Sequence, residues 1–294
     1  MERQNPTKLN GFRTVVMIAL TAVFLTACSS TKLAYQYADW GIIWWVEDYV
    51  PMTGPQQAQL EEDVLALRDW HCSSELPRYS AWLTKLKQDV RAGDLDRATV
   101  TYHQEQLFSF ISPLAERAKP AATRLLSSLS DAQVRELADN MTESQVEMEE
   151  EFLSEDPEQT RQARAERTLE RVENWLGSLN ETQTDIVNQW SDARGRQTEI
   201  WLQGRRNWQQ AFLDALEHRT GDDFARKIDY LIDNNSEVRG PEYQRMMSES
   251  RNSMASLMTD LLQKSDQKQL DHLLEKASSL RRDFNTLACT TENT

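Results

Sequence analysis

"ETQTDIVNQWSDARGRQTEIWLQGRRNWQQAFLDALEH", residues 181–218, is the stretch on which the fold turns. Ile186, Trp190, Ala193, Gln197, Ile200, Gly204, Trp208, Ala211 and Ala215 follow one another in steps of three and four. That period draws one face of an α-helix, and the stripe is suited to face other helices, with Gly204 permitting close approach. Just upstream, Asn180 and Gln183 form the pattern of a capping box. In that device the cap side chain accepts from the N3 amide, while the N3 side chain reaches back to the cap's own amide.

The same punctuation recurs outward along the chain. Thr53 with Gln56, Ser130 with Gln133, and Asp156 with Gln159 all qualify, the last with Pro157 at the first helical position. Nine glycines and eight prolines in 294 residues, with almost no β-branched alternation, make the chain all-α. The expected fold is an elongated multi-helix bundle of about ten helices behind a cleaved signal peptide. Helices are expected near 33–50, 54–72, 75–92, 95–112, 113–128, 131–153, 157–176, 181–218, 222–233, 242–264 and 266–286. Pro113 and Pro120 are expected to break or kink the central stretch, and "NNSEVRGP", 234–241, reads as the clearest loop. No shift in composition marks a boundary, so residues 33–294 are expected to form a single domain.

Three helix starts, "MTGPQ" (52–56), "LSDAQ" (129–133) and "LNETQ" (179–183), share an apolar residue before the cap. A degenerate fourth, "KSDQK" (264–268), has Lys where the glutamine belongs. The motif resembles one repeated in small helical periplasmic chaperones of the envelope stress response. Separations of 77, 50 and 85 residues are no solenoid period. An apolar staple ahead of a capping box also describes any helix start, and that is the expected meaning.

The N-terminus reads as a leader. "MERQNPTKLNGFR" carries Arg3, Lys8 and Arg13 against Glu2, and "VVMIALTAVF" (15–24) is too short to span a hydrocarbon core of about 30 Å. Leu25, Thr26, Ala27 and Cys28 resemble the lipobox of bacterial lipoproteins. That resemblance implies cleavage between Ala27 and Cys28 and acylation of the Cys28 thiol and amine, with residues 28–32 as a short tether. Several acyl chains hold a membrane firmly where one does so only marginally. Ser29 after the cysteine, by the sorting rule of such proteins, implies the outer membrane and a domain facing the periplasm.

Removing residues 1–27 takes the net charge from −14 to −16, which excludes nucleic-acid binding by bulk electrostatics. Cys72 and Cys289 are then the remaining thiols. They could pair in an oxidising compartment, or stay as two buried thiols, since sequence does not set the distance between them.

Few constellations invite chemistry. The four histidines, His71, His103, His218 and His272, lack metal-ligand spacing, and no nucleophile elbow or phosphate-cradling glycine loop occurs. No catalytic residue, metal or cofactor is expected. Arg194, Arg196, Arg205 and Arg206, interleaved with Trp190, Trp201 and Trp208, could meet an anionic partner such as a lipid headgroup or glycan. Pairing with the chain's own "EMEEEFLSEDPE" (147–158) is the stronger expectation. The aromatics of "LAYQYADWGIIWWVEDYV" (33–50) suit a membrane interface, yet such stripes are more often core, and core is expected. Met246, Met247, Met254 and Met258 suit either an adaptable client surface or a core.

The last two stretches together carry a wider resemblance. "LAYQYADWGIIWWVEDYV" (33–50) and "PQQAQLEEDVLALRDWHCSSELPRY" (55–79), with the capped helix starts downstream, resemble an uncharacterised family of proteobacterial helical lipoproteins, a domain of unknown function. The resemblance implies an all-helical exported lipoprotein and brings no activity. Cys72 stands where a basic residue is expected after "WH", so a Cys72–Cys289 bridge would be a local feature. The expected role is non-enzymatic: an outer-membrane-anchored periplasmic lipoprotein bound to the membrane by its lipid and to an envelope protein partner of unknown identity. A tethered chaperone or stress sensor is the alternative, and a glycan-binding or hydrolytic protein comes third.

Overall fold

A computed structural model describes residues 30–154 and 156–289. The leader, Ala27 and Cys28 lie outside the described residues. Among the described residues the chain is helical without strands, an all-α multi-helix bundle.

The helices are α1 (Ser30–Gln36), α2 (Ala38–Tyr49), α3 (Gly54–Trp70), α4 (Leu76–Ala92), α5 (Arg97–Ser109), α6 (Ile111–Ser127) and α7 (Asp131–Phe152), followed by α8 (Pro157–Leu176), α9 (Glu181–Asp192), α10 (Gln197–Glu217), α11 (Phe224–Asp233), α12 (Asn235–Val238), α13 (Pro241–Gln263) and α14 (Gln267–Leu287). Several boundaries correct the expectation. The 181–218 stretch is two helices, because Gly195 takes φ +48° in the turn after Ala193, a region closed to most residues. The 33–50 stretch is interrupted at Tyr37, whose φ and ψ of −106° and 13° are not helical. Between α3 and α4 the chain does not break but winds through a π-helical turn, His71–Glu75. Pro120 sits inside α6 without ending it; the break falls earlier, at Phe110. Half of the expected loop 234–241 is the short helix α12.

Gly204 does what its place in the stripe implies. A Cβ there would stand 2.6 Å from Tyr243 Cδ2, so α10 and α13 approach only because it has none.

Two apolar cores hold the bundle. One gathers Val50, Leu129, Leu137, Met141, Leu216, Phe224, Ile228 and Leu231 from α7, α10, α11 and the segments that precede α3 and α7. The other gathers Val90, Ala165, Val172, Leu176, Val187, Leu257, Leu261 and Leu273 from α4, α8, α9, α13 and α14. Each fully buried leucine among these contributes about 1.5–3 kcal/mol of transfer free energy.

Each core has a pair of capped helix starts beside it. At α3 and α7, Gln56 Oε1 accepts from the Thr53 amide at 2.9 Å and Gln133 Oε1 from the Ser130 amide at 2.9 Å. The two side chains also bond each other, Gln133 Nε2 donating to Gln56 Oε1 at 2.7 Å. Their remaining amide hydrogens go to Ser128 O at 3.0 Å and Pro51 O at 2.8 Å, each two residues before the partner's cap. At α9 and α14, Gln183 and Gln269 repeat the arrangement. Gln269 Nε2 donates to Gln183 Oε1 at 2.8 Å and to Ser178 O at 2.8 Å, and Gln183 Nε2 donates to Leu261 O at 3.2 Å. The fourth box is therefore Asp266 with Gln269, one residue beyond the degenerate "KSDQK". The Asp156 box does not form: Asp156 caps the Glu158 amide at 2.9 Å, while Gln159 accepts from Ser154 Oγ at 3.0 Å.

Cys72, buried in the π-turn, is disulfide-bonded to Cys289 just after α14, with Cα atoms 5.2 Å apart. The Cys289 amide also donates to Cys72 O at 3.2 Å, so the end of α14 is held where α3 meets α4.

Candidate functional site

Helix α2 buries none of its residues. The expectation that its aromatics are core is overturned. Tyr37 is 55% exposed, Trp40 67%, Trp44 52% and Trp45 60%, and Trp40 and Trp44 stack with centroids 6.4 Å apart. The helical stripe is real, but the polar groups between the rings fix which side faces inward. Asp39 accepts from Arg68 Nη1 at 2.8 Å, Tyr49 O accepts from Asn140 Nδ2 at 3.0 Å, and Tyr49 Oη lies 3.0 Å from Ser144 Oγ. Those bonds lay α2 across α3 and α7 and leave Trp40 and Trp44 outward, while Trp45, though exposed, also lines the space beneath the helix.

Beneath α2 is a cavity of about 820 Å³. Its walls come from α2, α3, α6, α7 and α10, and they are mostly aliphatic and aromatic. Sequence periodicity places residues on faces but cannot reveal a gap between faces, so nothing in the sequence marked it.

The arginine island divides by partner. Arg206 Nε donates to Glu149 at 2.8 Å, a member of the acidic stretch. Arg196, in the turn before α10, pairs with Glu199 in that helix's first turn, and Arg194 lies over the Trp190 ring at 5.7 Å. Arg205 differs: it donates to neutral oxygens, Gln145 Oε1 at 2.6 Å and Ser144 Oγ at 3.0 Å.

Two histidines are built into polar clusters. His103 Nε2 lies 3.0 Å from Asp89 Oδ2, and its Nδ1 is buried without a partner. A proton on Nδ1 would be an unsatisfied buried donor, so the ring is neutral with Nε2–H donating to Asp89. Burial lowers the pKa of His103 against the pull of the Asp89 carboxylate. Burial raises Asp89 too, but Lys85 and His103 outweigh it and hold the carboxyl below its usual range. His71 contacts Tyr35 Oη at 3.1 Å and Tyr79 Oη at 3.2 Å, and burial lowers its pKa against Glu75.

Of the methionines, Met246 is buried and Met254 exposed, so the Met-rich helix spreads them between core and surface. Among the described residues no cluster of His, Cys, Asp and Glu could hold a metal ion, and no helix is long and apolar enough to cross a membrane.

A family model described as a family of unknown function (DUF6279) matches residues 48–245. No curated protein and no solved structure matches the chain.

Proposed function

We propose that this chain, which belongs to DUF6279, a family of unknown function, is a non-enzymatic lipoprotein of the outer membrane. Cys28 carries the lipid, the helical domain faces the periplasm, and the protein acts by contact with an envelope protein partner.

One observation carries the reading: the exposed Tyr37, Trp40, Trp44 and Trp45 lie within seventeen residues of Cys28, the cysteine of the lipobox. Indole and phenol rings are amphipathic and favour the headgroup region of a bilayer, so a surface helix of this kind suits a chain end held at a leaflet. The chaperone alternative has less to draw on, since all four box glutamines are tied into pairs and Met246 is buried.

Metabolic labelling with palmitate and fractionation of the envelope test the anchor. The wild-type chain is expected to take label and sediment with outer membranes, and Cys28→Ala to lose both. Equal labelling of the two chains overturns the reading.

A further inference from the structure

The cavity under α2 has a second property besides its volume of about 820 Å³, which lies within the roughly 300–1,000 Å³ of small-molecule sites. Its wall carries two acids and four arginines. Both acids are engaged, Asp63 by Arg124 at 2.8 Å and Glu116 by Lys119 at 2.6 Å. Arg117, Arg205 and Arg239 have no carboxylate within ion-pair distance among the described residues. Arg205 bonds the neutral Gln145 and Ser144, and Arg239 donates to Asn235 Oδ1 at 2.9 Å with its guanidinium over the Tyr243 ring. In a chain with a formal charge of −14, an apolar cavity edged by cations that make no direct ion pair is a local inversion of charge, even with Glu149 near enough to Arg205 to feel it.

An apolar chain with an anionic end has the complementary chemistry. The chain replaces water against Trp45, Leu67, Leu125, Leu137 and Trp208, while a carboxylate or phosphate accepts from the guanidinium groups of arginines that line the wall. Helix α2 sits between this cavity and the outside, offering Ile42 and Trp45 to the wall while Trp40 and Trp44 face outward.

We propose that this cavity binds an acyl chain whose anionic headgroup is held by Arg205 and Arg239. The inference does not depend on the acylation of Cys28.

Photo-crosslinking of the full chain in phosphatidylethanolamine vesicles tests it, with three probes that share one diazirine-bearing C16 chain: a fatty acid, a phosphatidic acid and a fatty alcohol. Crosslinks from either anionic probe are expected on peptides of α3, α6 and α10. Which of the two labels more strongly distinguishes a carboxylate from a phosphate ligand. Ala121→Trp, which fills the cavity from α6, is expected to lower labelling several-fold. Arg205→Gln combined with Arg239→Gln should reduce labelling by the anionic probes about tenfold and leave the alcohol's unchanged. The arginine pair keeps the test decisive if Ala121→Trp fails to fold. Crosslinks confined to α1 and α2, or an alcohol that labels as well as the acids, overturn the proposal. So does labelling that emerges only in Cys28→Ala, since the chain's own lipid would then be the occupant.

Discussion

Gln56 and Gln133 at one end, and Gln183 and Gln269 at the other, perform the same four-fold task in different surroundings. In both pairs each amide oxygen caps its own helix and receives the partner's amide; three of the four amide nitrogens give their second hydrogen to a carbonyl two residues before the partner's cap, and Gln183 gives its own to Leu261 O in the last turns of α13. The α9–α14 pair is sealed, with Gln183 fully buried and Gln269 nearly so, beside a core that includes Leu176 and Leu261. The α3–α7 pair is looser: Gln56 is half-buried, and Leu129 and Leu137 beside it face the large cavity. One device therefore serves as a dry clamp in one place and, with Gln133 buried but Gln56 part-exposed, as a half-open one in the other.

The difference has a chemical test, because a lone capping box accepts Glu as readily as Gln. A paired box does not, since a carboxylate has no hydrogens to give and would face its partner's oxygen. Gln183→Glu buries an unpaired charge against Gln269 Oε1 and removes one of the donors to Leu261 O. It is expected to cost about 4 kcal/mol in urea unfolding at pH 7, against about 1 kcal/mol for Gln56→Glu, where water can enter. Equal losses would break the contrast between the clamps and leave only ordinary caps.

The helical class and three of the boxes follow from local rules, since a cap bonds its own first turn and needs no distant partner. The pairing was not readable, because Gln183 and Gln269 are 86 residues apart and meet only through tertiary packing. The fourth box does leave a signal in the sequence, Gln269 three residues after Asp266, one residue out of step with the frame that begins at Ser265. The aromatic face of α2 went the other way from expectation because periodicity says that a stripe has one side, not which side is wet. The break at Gly195 overrode an unbroken stripe for a purely local reason, its positive φ.

The disulfide joins the far ends of one helix from each pair, since α3 starts at the Gln56 box and leads to Cys72, and α14 starts at the Gln269 box and leads to Cys289. Closing a loop across a separation of 217 residues restricts the unfolded chain strongly. Cys72→Ala with Cys289→Ala is expected to cost about 3 kcal/mol, less than the longest-loop limit because α14 still packs along α4. Hydrogen exchange should speed up at the end of α14 and stay slow at the Gln183 amide, whose acceptor Asn180 Oδ1 is local. Acceleration at both sites would mean that the bridge, and not the glutamine pair, holds the second clamp closed.

The smallest effect expected is that of acid, and it falls on the helices between the boxes of the first pair, where His71 and His103 lie. An unfolded histidine titrates near pH 6.5, and burial lowers both of these in the folded state. As pH falls through that range the unfolded chain takes up protons that the folded chain resists, so stability present above about pH 6.5 is lost on acidification toward the folded values. Urea midpoints are therefore expected to fall between pH 7.5 and 5.5. His103→Gln retains a side-chain donor that can reach Asp89 but cannot titrate, and it should flatten part of that slope while lowering stability at pH 7.5 only modestly. An unchanged slope would assign the acid sensitivity to His71 and its two tyrosines, at the turn that carries Cys72.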